Sequence, residues 1–164
     1  MICYIFANKG NIIFSQMIDV RTAAKYLIHR YEQESGSPMD EMKLHKLLYF
    51  TQRESFVLLG KAMFPDQFDA WKYGPVMRCL RKAHWESKVQ SVLPEDSEYI
   101  PVLEDTLKRY SSMDSWTLSN ISHGETCWQK AKDKEVGSIP VAIETSDIEY
   151  DAKAIKYRRF MCSQ

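Results

Sequence analysis

The sequence is poor in cysteine, glycine and proline, with four, six and six of these residues among 164, and it has no long apolar run. No run approaches the roughly 18 apolar residues of a membrane-spanning helix, so a soluble globular protein is expected. The cysteines are scattered without a Cys-x-x-Cys pair, which disfavours a zinc site or a disulfide framework and favours reduced thiols in the cytoplasm. They are Cys3, Cys79, Cys127 and Cys162.

An excess of one charge is also missing, because Lys+Arg and Asp+Glu both number 22. The field of the whole chain therefore does not attract nucleic acid or an anionic membrane, and a charged partner must be bound by a local patch. A length of 164 residues fits one domain that can bury its own core.

Signatures of enzymes are absent as well. The chain contains no Gly-x-Gly-x-x-Gly, no Gly-x4-Gly-Lys-Ser/Thr and no Gly-x-Ser-x-Gly. His29, His45, His84 and His123 do not pair with one another at metal-ligand spacing, and the interval from His123 to Cys127 supplies only two ligands. We therefore predict no catalytic residue, no metal and no cofactor. A cysteine enzyme that uses Cys79 or Cys127 with a histidine is the least favoured alternative.

Two amphipathic helices are predicted in the first third of the chain. Asp19 and Gly36 bound the first helix as N-cap and stop. The second extends over about Pro38–Leu59, with Ser37 as N-cap and Gly60 as stop. Its apolar residues cover more than one side, which is typical of a helix at the centre of a bundle. Leu44, Leu47, Leu48, Leu58 and Leu59 would line one face, whereas Lys43, Lys46 and Arg53 would face water.

The first sixteen residues are separate from this helical pattern. Two short strand-like runs flank the turn cluster Asn8-Lys9-Gly10-Asn11, which would fit a small hairpin. In the alternative interpretation, Met17 is the functional start and residues 1–16 are an appendage. We expect an N-terminal extension over 1–16 and a single helical domain over 17–164.

The stretch Ala70-Trp71-Lys72-Tyr73-Gly74-Pro75-Val76 stands at the middle of the chain. Gly-Pro signals a turn, and Pro75 is a favourable first residue for a helix, so a basic helix is predicted to begin there. Trp71 and Tyr73 are two residues apart on an extended lead-in and would point to opposite sides. One of them can anchor the core while the other meets a partner.

Short helices are predicted for most of the remaining chain. Leu103, Leu107 and Tyr110 have helical spacing, Asp114 can cap a helix that ends near His123, and another helical segment holds Trp128. Residues 139–143 alternate around Pro140, which allows a short edge strand or an extended link. Ser146–Glu149 reads as a capping box for a final helix. The fold class is therefore mainly α: a compact, single-domain helical bundle around a long central helix.

Three blocks together resemble the Panacea domain family, the SocA-like phage-associated antitoxins. They are residues 43–52, residues 70–76 and the stretch from Leu118 through His123 to Trp128. The first helix is also similar to the opening of that family, and the resemblance covers about residues 17–162. The motif residues that we interpret as structural are Leu44, Leu47, Leu48, Tyr49, Gln52, Gly74, Pro75, His123 and Trp128.

The resemblance implies a cytoplasmic, non-enzymatic antitoxin that binds and neutralises a protein toxin encoded by an adjacent gene. Some relatives act as adaptors that deliver the toxin to a protease, which is an alternative here. A DNA-binding autoregulator is an alternative of another class, although zero net charge disfavours nucleic acid. Aromatic residues and Arg are common interface anchors. The candidate partner-binding residues are Trp71, Lys72, Tyr73, Arg78, Arg81 and Trp85.

Overall fold

A computed structural model describes residues 16–82, 84, 86 and 92–163. Within these ranges the chain forms six α-helices and one two-stranded hairpin, so the mainly α prediction is confirmed. The hairpin predicted near the N-terminus lies in residues 1–15, outside the described residues. In chain order the elements are α1 (Val20–Ser35), α2 (Glu41–Leu59), β1 (Asp69–Trp71), β2 (Gly74–Val76), a 3₁₀ turn (Arg78–Arg81), α3 (Ile100–Tyr110), α4 (Ser115–His123), α5 (Thr126–Asp133) and α6 (Thr145–Cys162).

Helix α2 is the centre of the bundle and packs against α1, α3, α4, α6 and β2. It begins at Glu41 rather than near Pro38, because the N-cap is Asp40 and not Ser37. The Asp40 carboxylate accepts a hydrogen bond from the backbone N–H of Lys43 at 2.8 Å. Gly60 ends the helix in the left-handed conformation at φ 73°, as predicted.

The solvent-facing side predicted for α2 is wrong. Lys43, Lys46 and Arg53 are 7%, 1% and 2% exposed, because remote polar groups reach each of them. Lys43 donates to Tyr31 and to a backbone carbonyl, and Arg53 pairs with carboxylates. At the other end, Leu58 and Leu59 are exposed although they were predicted to line the core.

The helix predicted from Pro75 is also wrong, because Pro75 lies in β2 and only a 3₁₀ turn follows. Pro75 is opposite Ala70 in the antiparallel register, and the N–H of Ala70 points away to the carbonyl of Val141 at 2.8 Å. The missing N–H of Pro75 therefore breaks no hydrogen bond between the two strands. The second contact of β1 is an isolated bridge between Asp69 and Ala142, so residues 139–143 form the extended link that was predicted.

Local signals set most of the other boundaries. Asp19 and Gly36 cap α1, and the Asp114 carboxylate accepts from two backbone N–H groups at the start of α4, as predicted. The predicted capping box at Ser146 is wrong, since the N-cap of α6 is Glu144, two residues before Ser146, and the helix begins at Thr145. Glu144 makes no side-chain capping bond. No helix in the described part of the chain is both long and apolar enough to span a membrane.

A buried ion-pair network holds α6 and the loop before α5 to α2; we define it as Arg53, Glu54, Glu125 and Arg159. Glu54 is fully buried and accepts from Arg53 at 2.9 Å, from Arg159 at 2.6 and 2.9 Å and from Tyr110 at 3.1 Å. Burial alone would raise the pKa of Glu54, but the bonds from Arg159 and the charge of Arg53 hold it below its usual value. Arg53 and Arg159 thus share the carboxylate of Glu54, and Arg53 also pairs with Glu125.

Candidate functional site

A cavity of about 550 Å³ opens between the N-terminal half of α2 and the hairpin, and we call it the hairpin cleft. Its aromatic lining comes from the hairpin, and its charged lining comes from the start of α2 with its N-cap, from the hairpin turn and from the 3₁₀ turn. The motif of residues 70–76 therefore forms one wall of a cleft. The lining residues are Asp40, Glu41, Met42, His45, Lys46, Trp71, Lys72, Tyr73, Val76 and Arg81.

The hairpin lies directly against Lys46 because Gly74 has no side chain. Lys46 Nζ donates to the carbonyl of Pro75 at 2.9 Å. A Cβ on Gly74 would lie 2.7 Å from Lys46 Cε and 2.5 Å from the hydroxyl of Ser122, and Gly74 has φ 99°. Both the backbone conformation and the close approach therefore require glycine at this position.

His45 is buried at the side of the cleft, where its two ring nitrogens have different roles. Nδ1 accepts a hydrogen bond from the backbone N–H of Met77 at 3.2 Å, so the neutral ring carries its proton on Nε2, which faces Glu41 at 3.4 Å. Burial lowers the pKa of His45 to about 4. His45 is therefore neutral at pH 7 and helps to hold the hairpin through Met77.

The aromatic wall of the cleft is Trp71, which is half-buried. The guanidinium of Arg81 lies over its ring at 4.8 Å from the centroid. The carbonyl of Trp71 accepts from the indole N–H of Trp128 at 3.2 Å, and Trp128 stacks on His123 at 4.2 Å. This chain of contacts fixes β1 against α4 and α5.

An exposed aromatic pair stands at the rim of the cleft. Tyr73 is 46% exposed and Trp116 is 59% exposed, and their rings meet edge to face at 5.3 Å between centroids. The backbone of Tyr73 is held by the hydroxyl of Ser119, which donates to its carbonyl at 2.8 Å. Two large rings thus face water on a rigid support.

The structure brings together four of the six predicted partner-binding residues: Trp71, Lys72, Tyr73 and Arg81 all line the hairpin cleft. Arg78 does not, because it pairs with Asp69 at 2.7 Å and lines a different cavity of about 300 Å³. Trp85 lies outside the described residues.

Sequence reasoning missed the part of α2 that lines the cleft, namely Glu41, His45 and Lys46, and it missed the pairing of Trp116 with Tyr73. The only local signal for the first three is that they are polar residues on a wide apolar helix. Nothing in the sequence pairs residues 73 and 116.

The remaining motif residues lie in the scaffold around the cleft. Leu44, Leu47, Leu48 and Tyr49 are buried in the core. Gln52 accepts from the backbone N–H of Met63 at 2.9 Å and donates to the carbonyl of Phe64 at 2.9 Å, which ties the loop before β1 to α2. These contacts position the hairpin without entering the cleft.

The two cysteines considered as nucleophiles have environments that disfavour a thiolate. Burial raises the pKa of the Cys79 thiol, and it also raises the pKa of Cys127, which lies 3.0 Å from the hydroxyl of Tyr49. A reactive cysteine needs the opposite shift. Among the described residues, no three His, Cys, Asp or Glu side chains are grouped as a metal site.

A larger cavity of about 810 Å³ lies beside α1 and is bordered by Leu93 and Ile100. It contains none of the motif residues. Its phenol Tyr26 already donates to Glu104 at 2.6 Å. We therefore regard the hairpin cleft as the better candidate for a functional site.

Acid is expected to destabilise the protein through His45. The pKa of His45 is about 4 in the folded chain and about 6.5 in the unfolded chain, so between these values only the unfolded chain takes up the proton. Stability from this group is complete above pH 6.5 and falls by about 3 kcal/mol as the pH drops to 4. The free energy of unfolding, measured with urea between pH 7 and 4, should decline less steeply for His45→Asn, whose side chain keeps an acceptor but does not titrate. Equal slopes for both proteins would contradict this role.

Comparison with protein-family models gives one family, described as antitoxin SocA-like, Panacea domain, which matches residues 44–129. The match includes α2 from Leu44, the hairpin, α3, α4 and the first half of α5, and therefore most of the hairpin cleft. No curated protein and no solved structure matches the chain. Because the family match covers more than half of the 164 residues, the chain belongs to the SocA-like antitoxin family with its Panacea domain.

Proposed function

We propose that this protein is a cytoplasmic antitoxin that binds a cognate protein toxin directly and neutralises it through the hairpin cleft and its aromatic rim. Membership of the SocA-like family indicates an antitoxin role in general. The toxin, encoded by an adjacent gene, and the surface that binds it are parts of our proposal.

The observation that carries the proposal is the exposed pair of Tyr73 and Trp116. Large aromatic rings are costly to leave in water, and Tyr, Trp and Arg are the residues that most often dominate binding energy at protein interfaces. Here Tyr73 and Trp116 support each other edge to face, so little side-chain freedom remains to be lost on binding. The pair is a preorganised anchor.

The cleft beside this pair has the composition of an interface rather than that of an enzyme site. Arg81 is held over Trp71 and also lies 3.4 Å from Glu41. Among the described residues, no three His, Cys, Asp or Glu side chains are grouped there as a metal site. Aromatic walls with fixed cations suit an inserted side chain of a partner.

Co-expression with the product of the adjacent gene tests the function. That product alone should arrest growth, and this protein should restore growth and co-purify with it. If the product is harmless alone, or remains toxic when this protein is present, the proposal fails.

The double variant Tyr73→Ala/Trp116→Ala should remain folded, because both rings are exposed, and should bind the toxin at least about 30-fold more weakly, as expected for an interface hot spot. Calorimetric titration measures the affinity. The matched control is Tyr150→Ala/Tyr157→Ala, which removes two rings on α6 that are 62% and 65% exposed. The proposed surface is wrong if the control, rather than the rim variant, loses binding.

A further inference from the structure

Lys46 is a buried cation that has no counter-ion within the described ranges. It is 1% exposed, and among the described residues its ammonium group makes one hydrogen bond, to the carbonyl of Pro75, and no ion pair. An ammonium group has three N–H donors, so two remain to be satisfied. The other buried cations of α2 differ, because Arg53 pairs with two carboxylates and Lys43 donates to two oxygens.

The surroundings of Lys46 are basic. Its charge helps to lower the pKa of both His45 and His123, although burial is the larger cause in each case. Lys72 and Arg81 also line the cleft. Several basic groups therefore face one cavity, and the potential in that cavity favours an anion.

The two carboxylates of the cleft are already engaged elsewhere. Asp40 caps α2 through Lys43 N and also accepts from the hydroxyl of Ser115 at 2.7 Å. Glu41 lies 3.4 Å from both His45 and Arg81. Neither forms an ion pair with Lys46, so its charge is left for a group from outside the chain.

A second donor group of the lining is left unsatisfied in the part of the chain that the structure describes. The indole nitrogen of Trp71 is buried and has no hydrogen-bond partner among the described residues. Unsatisfied buried donors are costly and need an explanation, which an incoming acceptor would supply. A cavity of about 550 Å³ has room for a side chain of a partner.

We propose that Lys46 is the receptor for a carboxylate carried on an acidic side chain of the protein partner, which enters the hairpin cleft between α2 and Trp71. One negative charge matches one ammonium group, whereas the second charge of a phosphate would meet Asp40 and Glu41. The identity of the partner rests on the proposed function, but the carboxylate site itself does not.

The site can be tested on the free protein with acetate as the probe. Acetate is titrated at constant ionic strength against chloride while the backbone amide signals of Gly74 and Ser122 are followed by NMR. We expect saturable shifts in the wild type and in Lys43→Met, and none in Lys46→Met. Lys43→Met is the matched control because it removes a buried lysine from the same helix outside the cleft; Lys108→Met, on an exposed position of α3, replaces it if Lys43→Met does not fold. Chemical shifts that do not saturate with acetate, or that persist in Lys46→Met, would overturn the proposal.

The second arm uses the toxin. Lys46→Met should bind it about tenfold to hundredfold more weakly, the loss expected for one charge-assisted hydrogen bond. Thermal unfolding of the free variant should occur at the same temperature as in the wild type or higher, because an uncompensated buried charge is removed. Wild-type affinity, or a lowered unfolding temperature that marks a merely structural lysine, would contradict the proposal. If the protein neutralises the toxin but binds no acetate at Lys46, the carboxylate site is refuted and the antitoxin function stands. If the product of the adjacent gene is harmless, only the antitoxin function is refuted.

Discussion

Replacement of Glu54 by Gln is expected to lower the free energy of unfolding by about 3–5 kcal/mol, the range for breaking a buried ion pair. The substitution keeps the size of the side chain and removes its charge. Arg53 is then left with Glu125, and Arg159 loses its only carboxylate in the described ranges. The cost arises from charge pairing and hydrogen bonds lost at a fully buried acceptor rather than from lost packing.

The cost should be large because Glu54 is fully buried at the centre of the bundle. It accepts hydrogen bonds from Arg53, Arg159 and Tyr110, which come from α2, α6 and α3. An amide in its place offers one acceptor and presents N–H groups to guanidinium donors. Three helices thus lose their shared acceptor at once.

Urea unfolding of the wild type and the variant measures this effect. The control is Glu149→Gln, which removes one partner of an exposed i,i+4 ion pair with Lys153 and should change stability by no more than about 0.5 kcal/mol. A loss below about 1 kcal/mol for Glu54→Gln would show that the buried ion-pair network does not hold the helices together.

Gly74→Ala is expected to destabilise the protein by about 2–4 kcal/mol, from a strained backbone and an overpacked contact. The residue has φ 99°, outside the region that alanine adopts easily, and its new Cβ would lie 2.5 Å from Ser122 Oγ and 2.7 Å from Lys46 Cε. Neither of these atoms can move freely, because Ser122 Oγ donates to the carbonyl of Ser119 and Lys46 is held by Pro75.

Gly60→Ala separates the two causes. Gly60 also has a positive φ, 73°, but a Cβ there would meet nothing within 4 Å. Its replacement should cost about 1 kcal/mol, from the left-handed conformation alone. Chemical denaturation compares the variants, and equal losses for both would mean that the hairpin does not press on Lys46 and Ser122 as described.

The sequence predicts those elements whose signals are local. Asp19, Gly36, Gly60 and Asp114 end or begin helices through contacts within a few residues, so their spacing suffices. The capping box at Ser146 shows the limit of such local signals, because Ser146 and Glu149 also fit inside the helix when its N-cap lies two residues earlier, at Glu144.

The cleft could not be predicted because its contacts join remote residues. Lys46 and Pro75 are 29 residues apart, and Arg53 and Glu125 are 72 apart. Helical periodicity predicts that a lysine or arginine side chain faces water, unless a hydrogen-bond acceptor on another element is known. The hairpin depends likewise on residues 141–143 beside β1, since Gly-Pro alone is equally compatible with the start of a helix.

The most direct test of the account is hydrogen–deuterium exchange of this protein with and without its toxin. If the hairpin cleft is the binding surface, backbone amides of residues 71–73 and 116 and of the first turns of α2 should exchange more slowly in the complex. The backbone amides of α6, which carries the exposed rings of Tyr157 and Phe160, provide the internal comparison. Protection confined to α6, with the hairpin and the start of α2 unchanged, would contradict the account.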